Sequence, residues 1–115
     1  MRHPDGNIGY GKSYNEILKA NPGYEYLLVV TSDVLVDTGV VASFVERMNK
    51  SPDIALCAGK LHHWDLKNHR KTEIIDSLGI VAEKRHHFYD RGHGEEDTGQ
   101  YDDELGQFFG ISGSV

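Results

Sequence analysis

The sequence predicts an α/β domain with a mostly parallel sheet. Three observations lead there: a helix–strand–helix–strand order over residues 12–58, two short apolar runs with β-branched residues, and chain-breaking clusters between them. The 115 residues suit one domain, which can bury roughly two-thirds of its unfolded surface. No internal repeat and no dividing linker is visible.

Gly6, Gly9 and Gly11 mark an opening turn. Residues 12–20 read as a helix, with Tyr14, Ile17 and Leu18 at i, i+3 and i+4 on one apolar face. Asn21-Pro22-Gly23 stops it. Tyr26-Leu27-Leu28-Val29-Val30 reads as a buried parallel strand followed by Thr31-Ser32-Asp33. Asp37 or Thr38 could cap the next helix, whose apolar positions are Val40, Val41, Phe44, Val45 and Met48. After Ser51-Pro52-Asp53, Ile54-Ala55-Leu56-Cys57-Ala58 reads as a second buried strand.

From Leu61 the pattern weakens. Residues 62–72 are polar and rich in His and Lys, and Ile74, Ile75, Leu78, Ile80 and Val81 suggest short strands. Residues 90–104, acidic and with three glycines, read as a long loop of the functional or disordered kind. The apolar Phe108-Phe109-Gly110-Ile111 is under way near the C-terminal end, and no first strand precedes the glycine turn, so both ends look cut.

Composition narrows the partners. Net charge is -6 with Lys and Arg scattered, so there is no basic stripe for nucleic acid. An anionic ligand must be held by local groups or a metal, against the overall field. Cys57 is the only cysteine, which suits a reducing compartment. No apolar run approaches the roughly 20 residues of a membrane span.

Four constellations could carry chemistry. Gly6-Asn7-Ile8-Gly9-Tyr10-Gly11-Lys12-Ser13 matches the phosphate-loop pattern G-x-x-x-x-G-K-(S/T), but residues 1–5 make no strand leading into it. A Gly-rich turn at a helix N-terminus can still favour phosphate. Asp33, at the end of a parallel strand, lies where open α/β sheets place ligands, and its oxygens suit Mg²⁺ or Mn²⁺ bridging to a diphosphate. An Asp in such a place more often caps a helix or forms a turn. In the loop from Asp90 to Asp102, acidic groups could fix sugar hydroxyls and Arg91 could pair with an anion, although a solvated loop has the same composition. The pairs His62-His63 and His86-His87 would point to opposite faces of a strand, wrong for one metal, and no helical His spacing or Cys partner appears.

Taken together these segments resemble the family 2 glycosyltransferases, especially the bacterial rhamnosyltransferase-like members. Asn7 to Asn15 is similar to N-x-G-(F/Y)-(G/A)-x-(G/A)-x-N, and Tyr26 to Asp33 to an apolar strand ending in N-x-D. Ile75 to Gly79 is similar to I-D-x-x-G, residues 90–102 to D-R-G-x-G-E-E-D-x-G-Q-Y-D, and Phe109 to Gly113 to F-G-x-S-G. The five motifs stand in the family's order and span nearly the whole chain.

The resemblance implies a partial GT-A (Rossmann-like) fold, the central part of one catalytic domain truncated at both ends. It implies a nucleotide-diphosphate sugar donor such as dTDP-rhamnose, a glycan or lipid-linked acceptor, and transfer with inversion. Asn7, Gly9 and Asn15 would lie near the nucleotide, and Asp33 would hold Mg²⁺ or Mn²⁺. Arg91, Glu95, Glu96 and Asp97 would form an acceptor or donor loop. The general base would be a carboxylate beyond Val115. The setting implied is cytoplasmic, with peripheral association of the full-length protein at the inner membrane face. Thr31 and Ser13 depart from the family pattern, the former leaving one carboxylate for the metal. Two readings stand beside this one: a phosphate-loop nucleotidase fragment, and a silent sugar-nucleotide-binding or interaction module. This chain alone is expected to be inactive.

Overall fold

The computed structural model describes residues 6–102 and 108–112. Two helices come first, α1 (Tyr10–Ala20) and α2 (Val40–Lys50). Four short strands follow: β1 (Leu61–Asp65), β2 (Arg70–Ser77), β3 (Ile80–Glu83) and β4 (His87–Asp90).

Both helices form where apolar side chains recur at helical spacing, and both turn that face toward one another's neighbourhood. Tyr14 and Leu18 of α1 line a cavity of about 440 Å³ with Val41, Phe44, Val45 and Met48 of α2. Asn21 ends α1 by donating its side-chain amide to the Ile17 carbonyl at 2.8 Å. The N-cap of α2 is Gly39, with no side-chain cap, so neither Asp37 nor Thr38 takes the capping role expected of them.

The sheets are antiparallel, which overturns the expected mostly parallel, Rossmann-like GT-A sheet. β1 pairs with β2, and β3 with β4, each as a separate two-stranded sheet. Residues 26–30 and 54–58, expected as buried parallel strands, form no strand. Their side chains instead border the apolar cavity, with Leu56 still 66% exposed. The physical reason lies in partnering: an apolar run reports a tendency to bury and names no partner, and among the described residues no strand pairs with either run. The hairpins close over tight turns at residues 66–69 and 84–86, where little chain entropy is lost. In the first turn the Asp65 carboxylate accepts the backbone N–H groups of Lys67 and Asn68 at 3.0 Å each.

Beyond the strands, single bridges join Ile74 to Glu96 and Ile80 to Gly110. The core is where these pieces meet. Ile75 is fully buried, and Ser77 beside it is buried with its hydroxyl donated to Asp90 Oδ1 at 2.6 Å. Among the described residues no helix is long and apolar enough to cross a membrane.

Candidate functional site

The most tightly connected part of the molecule is residues 90–102 folded back on β2. Ile75 donates its N–H to the Glu95 carbonyl and accepts from Gly94, both at 2.9 Å. Leu78 donates to Arg91 at 3.1 Å, Arg91 to Gly79 at 3.0 Å, and Asp97 to Glu73 at 2.6 Å. Gly92 permits this approach. It is buried with φ at 72°, and a Cβ there would stand 3.1 Å from Leu78 Cδ1 and 3.3 Å from Ile75 Cγ2.

Side chains tie the same segment to β1. Lys60 Nζ donates to Asp97 Oδ1 at 2.8 Å and Oδ2 at 2.9 Å, and to Asp102 Oδ1 at 2.7 Å. His62 Nε2 lies 2.7 Å from Asp97 Oδ2, and Gly99 N–H donates to Oδ1 at 3.1 Å. The hydrogen bond from Lys60, then that from His62, hold the Asp97 carboxyl far below the usual carboxylate range. Asp102, then Asp97, raise the Lys60 ammonium above its ordinary value. Asp97 is thus an ionised anchor whose oxygens are engaged within the protein.

The other acidic side chains of the segment are arranged differently. Tyr101 donates its hydroxyl to Glu95 Oε2 at 2.8 Å, and the Arg91 guanidinium stacks over the Tyr101 ring at 5.2 Å. Glu96 is exposed, and its carbonyl accepts from the Gln100 side-chain amide at 2.9 Å. Arg91, Glu95, Glu96 and Asp97 therefore share one ordered segment.

The residues expected around a nucleotide lie elsewhere. Asn7 accepts the Gly9 N–H at 3.0 Å just before α1, and Asn15 is exposed on that helix. Lys12 and Ser13 fall inside α1, where the Ser13 hydroxyl donates to the Gly9 carbonyl at 2.7 Å. Asp33 sits exposed in a turn closed by Val34 N–H to Thr31 O at 3.4 Å. The Thr31 hydroxyl donates to the Asp33 carboxylate and lowers its pKa. Among the described residues, no hydrogen bond joins Asn7, Gly9 or Asn15 to Asp33. The chain after Asp33, from Val34 to Val40, lines a cavity of about 300 Å³ whose far wall includes Gly59, Lys60 and Leu61. Lys60 is therefore shared between that cavity and the acidic segment.

A scan against protein-family models, a search of curated proteins and a search of solved structures each find no match.

A second cluster had no counterpart in the sequence reading. His63 on β1, Asp76 on β2 and His93 after β4 each offer one ligand atom, all within 4.8 Å of one another. Adjacent strand residues do point apart: His62 turns to Asp97 while His63 turns to Asp76. The cluster takes one histidine from the pair His62-His63 and adds the solitary His93. The only signal was register. With His62 opposite Ile75, His63 and Asp76 fall near each other on one face. Lys60, just before β1, carries no local signal either, since its partners Asp97 and Asp102 lie 37 and 42 residues away.

Proposed function

We propose that the chain is part of a family 2, nucleotide-sugar-dependent glycosyltransferase, rhamnosyltransferase-like in its acidic segment. The observation that carries this reading is the meeting of three motifs spaced along the sequence. Ile75 to Gly79 hydrogen-bonds to residues 90–102, and Ile80 exchanges bonds with Gly110 at 2.8 Å and Phe109 at 2.9 Å.

Within this reading the segment carrying Arg91, Glu95 and Glu96 presents carboxylates and a cation to sugar hydroxyls and phosphate. Asp97, held by Lys60 and His62, positions it. Asn7, Gly9 and Asn15 would lie near the nucleotide. Asp33 is a single exposed, readily ionised carboxylate, which fits Mg²⁺ or Mn²⁺, since such ions complete their shells with water and substrate phosphates. The ion would supply positive charge to the departing diphosphate. The acceptor is a glycan or lipid-linked hydroxyl.

The test is ligand profiling of the full-length protein with uridine- and thymidine-diphosphate sugars, ATP and GTP, each with and without Mg²⁺ or Mn²⁺. The expected outcome is metal-dependent transfer from a diphosphate sugar, reduced about 100-fold or more by Asp33→Asn with the fold intact, as for loss of several kcal/mol of charge stabilisation. Tight ATP binding that disappears in Lys12→Ala would replace the transferase with a phosphate-loop nucleotidase.

A further inference from the structure

We propose that His63, Asp76 and His93 form a binding site for a divalent transition-metal ion of the zinc type, separate from Asp33 and independent of the glycosyltransferase reading. Asp76 Oδ1 lies 3.6 Å from His63 Nε2 and 3.6 Å from His93 Nδ1. Ligand atoms around a tetrahedral zinc, at about 2.0–2.2 Å from the metal, stand about 3.3 Å apart. The three ligand atoms lie within 4.8 Å of one another, so side-chain rotation is needed to converge them on one ion.

The donor set selects the metal class. Two imidazoles and one carboxylate suit Zn²⁺, Co²⁺ or Ni²⁺, whereas Mg²⁺ and Ca²⁺ prefer oxygen alone. Three protein ligands leave a position for water, as in open zinc sites. The site carries one negative charge when both histidines are neutral. A divalent cation would bring it to one positive charge.

The surroundings hold the ligands in place. His93 Nδ1 lies 2.8 Å from the Asp76 carbonyl oxygen. Nδ1 is also the nitrogen 3.6 Å from Asp76 Oδ1, so metal ligation through it would replace this hydrogen bond. The rings of His63 and His93 meet edge to face with centroids 5.7 Å apart. The turn bearing His93 is locked to β2 by Gly94 N–H to the Ile75 carbonyl at 2.9 Å, and His63 and Asp76 stand on paired strands. The site is also open: its least exposed side chain, Asp76, retains 41% of its surface. A metal there would staple β1, β2 and the start of the acidic segment together.

The experiment is Zn²⁺ titration of the tag-free chain by calorimetry, with Co²⁺ absorption as an optical probe and Mg²⁺ as the control ion. One equivalent of Zn²⁺ is expected to bind, and Co²⁺ to give a four- or five-coordinate spectrum. His63→Gln, Asp76→Asn and His93→Gln should each weaken binding by at least ~10-fold. His69→Gln, outside the cluster, should not. In the wild-type chain, zinc should shift the ring resonances of His63 and His93 together, a readout that needs no variant. Absence of stoichiometric binding, or binding unchanged in the three variants, would overturn the site.

Discussion

Asp97 shows how much one carboxylate does in this chain. It receives Lys60, His62 and the Gly99 N–H at once, and it draws residues 90–102 against β1. Its depressed pKa fixes the sign of a pH effect. A carboxyl held below its unfolded value of about 3.9 contributes stability that is fully present above that value and is lost as pH falls through the folded one. Lys60 is raised, so its share is fully present below about 10.4 and is lost as pH rises through its folded value. The clamp therefore holds from about pH 4 to about pH 10 and fails at both ends. Asp97→Asn should lower the midpoint of thermal unfolding at pH 7 and flatten its fall in acid. Asp102→Asn, at a carboxylate whose side chain is 66% exposed, should do much less. Equal effects from the two variants, measured by circular dichroism between pH 3 and pH 8, would remove Asp97 from its central place. In the sequence this Asp is one of several acids in a polar stretch, and nothing local marks it out. Its partners lie 35 and 37 residues away, so only tertiary structure singles it out.

The elements divide by what their order needs. α1 and α2 are legible because a helix satisfies its own backbone, and a 3.6-residue apolar period suffices to announce it. Strands need partners. The apolar runs at 26–30 and 54–58 carry the strongest strand composition in the chain, yet they lie unpaired, while the polar residues of β1 and β4 pair across short turns. β2 and β3 were partly visible through Ile74, Ile75, Ile80 and Val81. Their junction depends on Gly79, which has φ at 129° and sits against Phe108, so that a Cβ would fall 2.8 Å from the ring. Gly79→Ala combines an unfavourable backbone region with a clash against an aromatic ring. It should cost about 1–3 kcal/mol. Chemical denaturation would read this directly as a lower midpoint at unchanged slope. A neutral Gly79→Ala would mean that the β2–β3 corner and Phe108 are not packed as described.

At the scale of the whole molecule, the core is small for the length of the chain. The accessible surface is 9343 Å², whereas a folded monomer of 12.9 kDa exposes roughly 6,300 Å². The radius of gyration is 16.0 Å, against about 13 Å for a compact domain of this length. The excess is not spread evenly. Ile75 and Ser77 are sealed, while Ile17, Leu18, Leu27, Leu28, Val41 and Leu56 stay exposed. An apolar surface of that kind keeps its hydration cost and takes up apolar solutes from water. The chain should therefore enhance the fluorescence of an environment-sensitive apolar dye under native conditions, without denaturant and with its secondary structure intact. Leu28→Glu and Leu56→Glu, both lining the 440 Å³ cavity, should each cut that signal at least about twofold. Leu66→Glu, at an exposed site on the β1–β2 turn away from the cavity, should leave it unchanged. A dye signal no greater than that of a compact protein of equal mass would show that the two runs are covered in solution, and with them the faces of α1 and α2 that share the cavity.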